Sequence, residues 1–387
     1  MKKKIAVITG TRAEYGLLFP LIKKISVDDN LELKLIVTGA HLSPEFGLTY
    51  KLIESDGFKI DKKIEILLSS DSDSSINKSM GLAMISFGEY FEENHLDMIV
   101  VLGDRYEIFA AASAAAISKI PIAHIHGGET TEGATDEFLR HSITKMSYLH
   151  FTSAEEYRRR VIQMGESPDR VFNVGALGVE NIKKMKLMSK KELENSIEFS
   201  LDKKFGLVTF HPVTMESGKS EEQFKELLKA IDSFEDMSFI ITKANADSDG
   251  RIINKMIDEY VAINKNRVIA FNSMGQLRYL SAMKYCSIVI GNSSSGIIES
   301  PSFEIPTVNI GDRQKGRIQA KSIINCEANY SNIKSTIEVA LSKEFNDKIS
   351  VFNSPYGDGT TSVKILETIK EYLLKNKINL KKTFYNL

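Results

Sequence analysis

The chain is expected to fold as an α/β protein with two doubly wound parallel-sheet domains in tandem. Three observations predict this. Short continuous runs of Val, Ile and Leu recur along the chain, the pattern of strands buried on both faces. Longer helix-like stretches separate them, as crossovers between parallel strands require. The alternation runs through once, passes a polar stretch at 187–204, and starts again. A length of 387 residues fits two domains better than one core.

The first half opens with KIAVIT (4–9), a strand, followed by a helix from Tyr15 to Ser26. LKLIVT (33–38), DMIVVLG (97–103), PIAHI (121–125) and YLHFTS (148–153) read as further buried strands. The stretches 75–94 and the Ala-rich 105–118 read as helices between them. The second half repeats the layout with FGLVTF (205–210), SFIIT (238–242), RVIAF (267–271), SIVIG (287–291) and PTVNIG (306–311). The boundary is expected near 175–185, which divides the chain into 1–178 and 179–360. A final helix over roughly 361–376 is expected to pack back, on the first domain by our reading. Two such domains predict an interdomain cleft at the carboxyl ends of their strands, where open α/β sheets bind ligands.

Composition narrows the function classes. Fifty basic and 51 acidic side chains leave a net charge of −1, so bulk charge favours neither nucleic acid nor a membrane surface. Two cysteines, Cys286 and Cys326, make neither a disulfide framework nor a zinc ribbon. The apolar run at Ile5–Ile8 is too short, and Arg12 too near, for a signal peptide. No stretch approaches a membrane span. A soluble protein in a reducing cytoplasm is expected.

The polar motifs follow the strands. ITGTRAEYG (8–16) turns at Gly10 into a helix whose N–H groups, with Arg12, suit an anion; it is not the GxGxxG of a dinucleotide fold. VLGDRYE (101–107) offers Asp104 as an N-cap, or as an acid/base group beside an Arg105 phosphate clamp. HIHGGETTEGATDEFLRH (124–141) carries His126, Glu129, Glu132, Asp136, Glu137, Arg140 and His141 around flexible glycines. On an undistorted strand His124 and His126 would share a face, which leaves a metal half-site open. Asp136 could instead cap a helix, and Arg140 and His141 could lie on its solvated face. TFHPVT (209–214) puts His211 at a strand end. TKANADSDG (242–250) reads as a polar turn. GNSSSGIIE (291–299) has the small residues of a phosphate loop, with Glu299 within reach of a ribose diol. NIGDRQKGR (309–317) supplies Arg313, Lys315 and Arg317 to neutralise a diphosphate.

Together TGTRAEYG, TGAHLSPEFGLTY, VLGDRYEIF, HIHGGE, DEFLRHSITKMSYLHF, HPVT, GNSSSGIIE and NIGDRQKGR resemble, in order and over nearly the whole chain, the hydrolysing UDP-N-acetylglucosamine 2-epimerases. The bacterial sialic-acid and legionaminic-acid branch is the most similar. The resemblance implies a GT-B-like fold and conversion of UDP-GlcNAc and water to N-acetylmannosamine and UDP, through elimination to a 2-acetamidoglucal. It implies no metal, no nicotinamide or other cofactor, and a homodimer or homotetramer.

Carried over by motif, Asp104 and Asp136 match the family's acid/base positions, and His126 and His211 join them as catalytic candidates. Arg12, Ser293, Ser294 and Arg313, with His211, fall on the diphosphate side, and Gly296 lies in the same loop. Glu299 falls on the ribose and His41 near the sugar. Arg105, Glu129 and Asn245 complete the substrate-binding set. Position 126 departs from the pattern, because other branches carry glutamate there. His126 is then a strand-end imidazole facing a sugar, and His124 is tied up by a local hydrogen bond. Three readings compete: the same reaction on UDP-N,N′-diacetylbacillosamine, a GT-B glycosyltransferase using a UDP-sugar donor, and a metal-dependent hydrolase using HIH. A UDP-sugar-binding regulator is disfavoured by the density of ionisable groups.

Overall fold

The computed structural model describes the chain except for residues 1, 71, 133–134, 203, 214–217, 245–248 and 350–354. Among the described residues the strands form two sheets, parallel throughout. The first contains β1 (Lys3–Thr9), β2 (Leu31–Thr38), β3 (Lys62–Ile64), β4 (Met98–Leu102), β5 (Ile122–Ile125), β6 (Leu149–Thr152) and β7 (Val171–Asn173), in the order β3-β2-β1-β4-β5-β6-β7. The second contains β8 (Phe205–Thr209), β9 (Ser238–Thr242), β10 (Val268–Phe271), β11 (Ile288–Gly291), β12 (Thr307–Ile310) and β13 (Ile323–Cys326), in the order β10-β9-β8-β11-β12-β13. The strand order reverses beside β1 in one sheet and beside β8 in the other, the doubly wound arrangement.

Side-chain alternation explains the layers. Ile5, Val7, Leu35, Val37, Met98 and Val100 face one side and bury Leu18, Leu21 and Ile22 of the helix Arg12–Ser26, together with Ile365 and Ile369 of the C-terminal helix Thr361–Leu374. Their neighbours Ala6, Ile8, Ile36, Ile99 and Val101 face the other side, against Phe87 of Asp73–Glu93, the alanines of Tyr106–Ile117 and Ile143 of Asp136–Met146. In the second sheet Val208, Ile241 and Ile290 pack on Phe224, Ile253 and Ile337, while Leu207, Ile240 and Val289 pack on Leu193 and Met283.

The chain divides into two units. The first holds Met1–Glu129, Asp136–Lys183 and Tyr356–Leu387; the second holds Thr130–Thr135 and Lys184–Pro355. The return of the C-terminus is secured by Glu180, whose buried carboxylate accepts from Ser362 N–H and Oγ–H, both at 2.6 Å. No helix among the described residues is long and apolar enough to cross a membrane.

β3, β7 and β13 were not anticipated. They read KKI, VFN and IINC, short sheet-edge or near-edge segments without a continuous apolar run. The first helix starts at Arg12 rather than Tyr15, because Thr11 and Glu14 form a reciprocal capping box.

Candidate active site

Parallel register brings the polar motifs of the first unit to one sheet edge. Leu102 pairs with Ile125 and Ile125 with Phe151, so the residues after β4, β5 and β6 leave the sheet side by side.

Arg140, on the helix Asp136–Met146, is the hub of this edge. It is not on a solvated face: only 1% of it is exposed. Its Nη2 is ion-paired with Asp104, and its Nη1 donates to the Glu129 carbonyl at 2.9 Å and to Glu137 Oε2 at 3.1 Å. One guanidinium thereby joins the turns after β4 and β5 to its own helix. The N-cap of Tyr106–Ile117 is Arg105, not Asp104, so the capping alternative for Asp104 falls. Asp104 turns to the arginine instead. Asp136 is the first residue of its helix.

His126 ends β5 with φ = 67°, a left-handed conformation that breaks the strand's alternation. The expectation that His124 and His126 share a face therefore fails. His124 is tied up locally, with Nε2 2.7 Å from the Gly103 carbonyl and Nδ1 3.2 Å from Thr144 Oγ1. Burial drives its pKa down to about 3, so the ring is neutral. His126 Nδ1 lies 3.6 Å from Glu129 Oε1, and Ser153, just past β6, donates to the same oxygen at 2.7 Å. Such strained strand ends cluster at functional sites. No group of three or more His, Cys, Asp or Glu among the described residues could hold a metal ion.

The turn after β1 is already occupied. Glu14 Oε2 accepts from the N–H groups of Gly10 (2.7 Å) and Thr11 (2.9 Å), the donors expected to hold an anion. Burial first, and then the neighbouring Glu107 carboxylate, raise the Glu14 pKa. Glu107 lies so close under Gly10 that a Cβ there would stand 2.6 Å from its side chain. Glu107 also holds Arg105, with Nε donating at 2.7 Å. Arg12 is half-buried at the head of its helix. His41 is fully buried, with its ring nitrogens at 3.1 Å from Thr9 Oγ1 and 2.8 Å from Thr49 Oγ1. It braces the strand ends from behind, and burial lowers its pKa to about 3.

The second unit gathers its motifs in the same way. Thr209 pairs with Gly291 and Gly291 with Asn309, which aligns the residues after β8, β11 and β12. His211 follows β8, Ser293 caps the short helix Ser294–Ile298, and Arg313 follows β12. Gly291 has φ = 131°, and a Cβ there would fall 1.9 Å from the Thr209 carbonyl oxygen, so only glycine fits. Gly296 is buried against Thr307 and Val289. Lys315 does not join Arg313; it is exposed and lies 3.8 Å from Glu132. Asn245 lies outside the described residues.

Sequence reasoning missed Asn292, Gln314 and Tyr279. Asn292 is buried and bonded to His211, Arg313 and Gln314. Tyr279 OH lies 2.5 Å from Ser295 Oγ, which is 3.1 Å from Ser293 Oγ. Tyr279 sits in a helix of mixed pattern, with no local motif to mark it.

Burial pushes the Glu299 carboxyl up to about 7. The folded state therefore holds this proton more tightly than the unfolded chain. Glu299 then withdraws stability as pH rises from its ordinary value of 4.5 through 7. Between pH 5 and 8 the melting temperature of ligand-free wild type should fall more than that of Glu299→Gln. Parallel curves in differential scanning fluorimetry would disprove this.

The UDP-N-acetylglucosamine 2-epimerase family model matches residues 23–370. A GDP/UDP-N,N′-diacetylbacillosamine 2-epimerase (hydrolyzing) from Campylobacter jejuni is 48% identical over 344 residues, 89% of either chain. Polysialic acid biosynthesis protein P7 of Escherichia coli is 41% identical over 386 residues, covering 100% of this chain and 98% of that one. The crystal structure of UDP-GlcNAc 2-epimerase from Neisseria meningitidis bound to UDP-GlcNAc has the same fold, with a TM-score of 0.79 at 21% identity, covering 95% of this chain and 100% of that one.

Proposed function

Since the chain belongs to the UDP-N-acetylglucosamine 2-epimerase family, with the GT-B-like fold of its relatives, we propose that it hydrolyses UDP-GlcNAc to UDP and N-acetylmannosamine with inversion at C2. A proton leaves C2, the C1–O bond to the diphosphate breaks, and a C1=C2 double bond forms in an enzyme-bound 2-acetamidoglucal. Water then adds at C1, and a proton returns to C2 on the opposite face.

The observation that carries this reading is the linked acid/base edge of the first unit. Asp104 and the Glu129 backbone are joined through Arg140, whose helix begins at Asp136, with His126 beside Glu129. Asp104 and Asp136 exchange protons with the sugar. His126 serves where other branches carry glutamate, since imidazole exchanges protons near neutral pH. Arg12, Arg105, His211, Ser293, Ser294 and Arg313 hold the diphosphate, Gly296 lets the serine loop's helix pack close on the sheet, and Glu299 holds the ribose. Glu129 and Asn245 complete the sugar and nucleotide contacts, while His41, fully buried between two threonine hydroxyls, supports the strand ends without reaching the sugar. The active form is a cytoplasmic homo-oligomer that uses no cofactor.

One observation favours a second substrate: the Campylobacter jejuni relative is named for diacetylbacillosamine. Comparison of kcat/KM for UDP-GlcNAc and UDP-N,N′-diacetylbacillosamine decides between them. Preference for the second sugar replaces the first assignment, and turnover of neither removes both.

Two variants probe the named roles. Arg313→Ala should weaken UDP binding by about 10–100-fold, the loss of one hydrogen bond to a charged group; equal affinity by calorimetry would remove Arg313 from the diphosphate. His126→Glu restores the other branches' residue and should keep part of the turnover. A folded but inert His126→Glu protein would show that the imidazole has a task no carboxylate can take over.

A further inference from the structure

We propose that Asn292 is a positioning residue for UDP binding: its side chain fixes His211 while its backbone carbonyl fixes Arg313. This rests on reading the second unit's strand edge as the diphosphate site.

Asn292 is fully buried, one residue past β11. Its N–H donates to the Thr209 carbonyl at 3.1 Å. Its Oδ1 accepts from the His211 N–H, and its Nδ2 donates to the His211 carbonyl, both at 2.8 Å. This reciprocal pair extends the contact between β8 and β11 beyond the strand ends, with a side chain standing in for backbone. The Asn292 carbonyl accepts from Arg313 Nη1 at 3.1 Å and from Gln314 Nε2 at 2.8 Å. Gln314 is itself buried, 1% exposed.

The next residues in the chain are Ser293 and Ser294. One asparagine therefore fixes the start of the serine loop, the backbone of His211 and the guanidinium of Arg313, groups contributed after three different strands. A carboxamide donates and accepts at once, which an ionised carboxylate of the same length cannot do. Asp at 292 would keep the acceptor for the His211 N–H and face the His211 carbonyl without a donor. Ala would release both.

A brace with only a structural role would lower the melting temperature and leave the folded protein's affinity for UDP unchanged. A positioning residue changes that affinity. Asn292→Ala should raise the UDP dissociation constant by about 10–100-fold, and kcat/KM should fall mainly through KM. Asn292→Asp should bind UDP no better than Asn292→Ala, because it sets a buried carboxylate against the His211 carbonyl.

The measurements are calorimetric titration of each folded variant with UDP, and steady-state kinetics. A folded Asn292→Ala protein with wild-type affinity overturns the proposal. Should the variants not fold, wild-type protein labelled with ¹⁵N-asparagine serves instead. The Asn292 side-chain amide should exchange slowly with solvent and shift on addition of UDP; a resonance that does not move overturns the proposal equally. Wild type that binds no UDP would instead overturn the reading of the site.

Discussion

Replacing Asp104 by Asn lowers turnover of the UDP-sugar by about 10²–10⁴-fold, the usual contribution of a general acid/base group, and leaves UDP affinity close to wild type. Asparagine has the shape of aspartate and can still accept a hydrogen bond from Arg140, so the turn after β4 keeps its place. It cannot take or return a proton. UDP affinity is spared because the substitution removes none of the groups assigned to the diphosphate, and Arg105 keeps its own partner, Glu107. Asp136→Asn is expected to behave alike, since Asp136 heads the helix that carries Arg140. Single-turnover kinetics with calorimetry of UDP separates the two effects. Near-normal turnover in either variant would strike that aspartate from the mechanism.

Removing Arg140 strikes both stability and chemistry. Taking one partner from a buried ion pair costs about 3–5 kcal/mol. Here the Asp104 side chain keeps 20% of its surface exposed, so the lower end applies, about 3 kcal/mol. That is a large part of the 5–15 kcal/mol typical of a folded protein. Arg140→Ala also frees the Glu129 carbonyl and Glu137, and Asp104 loses its fixed direction. Turnover should fall at least as far as in Asp104→Asn. Arg140→Lys keeps the charge but not the planar fork, so it should restore part of the stability and little of the activity. Urea unfolding with kinetics on the same preparations tests this. An Arg140→Ala protein as stable as wild type would show that the guanidinium is not the hub its contacts describe.

Much of this architecture was legible because central strands of parallel sheets are apolar on both faces. MIVVL, FGLVT and SFIIT can hardly be anything else in a soluble α/β chain. The short outer segments KKI, VFN and IINC carry no such signal, since neighbouring strands and helices define them rather than their own composition. The strand-end motifs do fall together at one edge of each sheet, because parallel register aligns the residues that follow its strands. The wiring within each edge was not legible. Arg140 looked like a solvated helix residue because its partners, Asp104 and the Glu129 carbonyl, are 36 and 11 residues away. Asp104 looked like a cap because the capping rule is local, whereas its ion pair is not. His126 was read with strand alternation, which its left-handed backbone abolishes. Asn292 was one small polar residue in a serine loop, and its bond to His211 spans 81 positions.

By the proposed reaction, this chain breaks the bond between a 2-acetamido sugar and UDP while exchanging the proton at C2. Proton NMR of the purified protein with UDP-GlcNAc in D₂O, with chelator present, tests it most directly, followed by UDP-N,N′-diacetylbacillosamine in the same tube format. Free UDP and a free 2-epimerised sugar carrying deuterium at C2 are expected. Release of a sugar that keeps its C2 proton and its configuration, or no turnover of either compound, would contradict it.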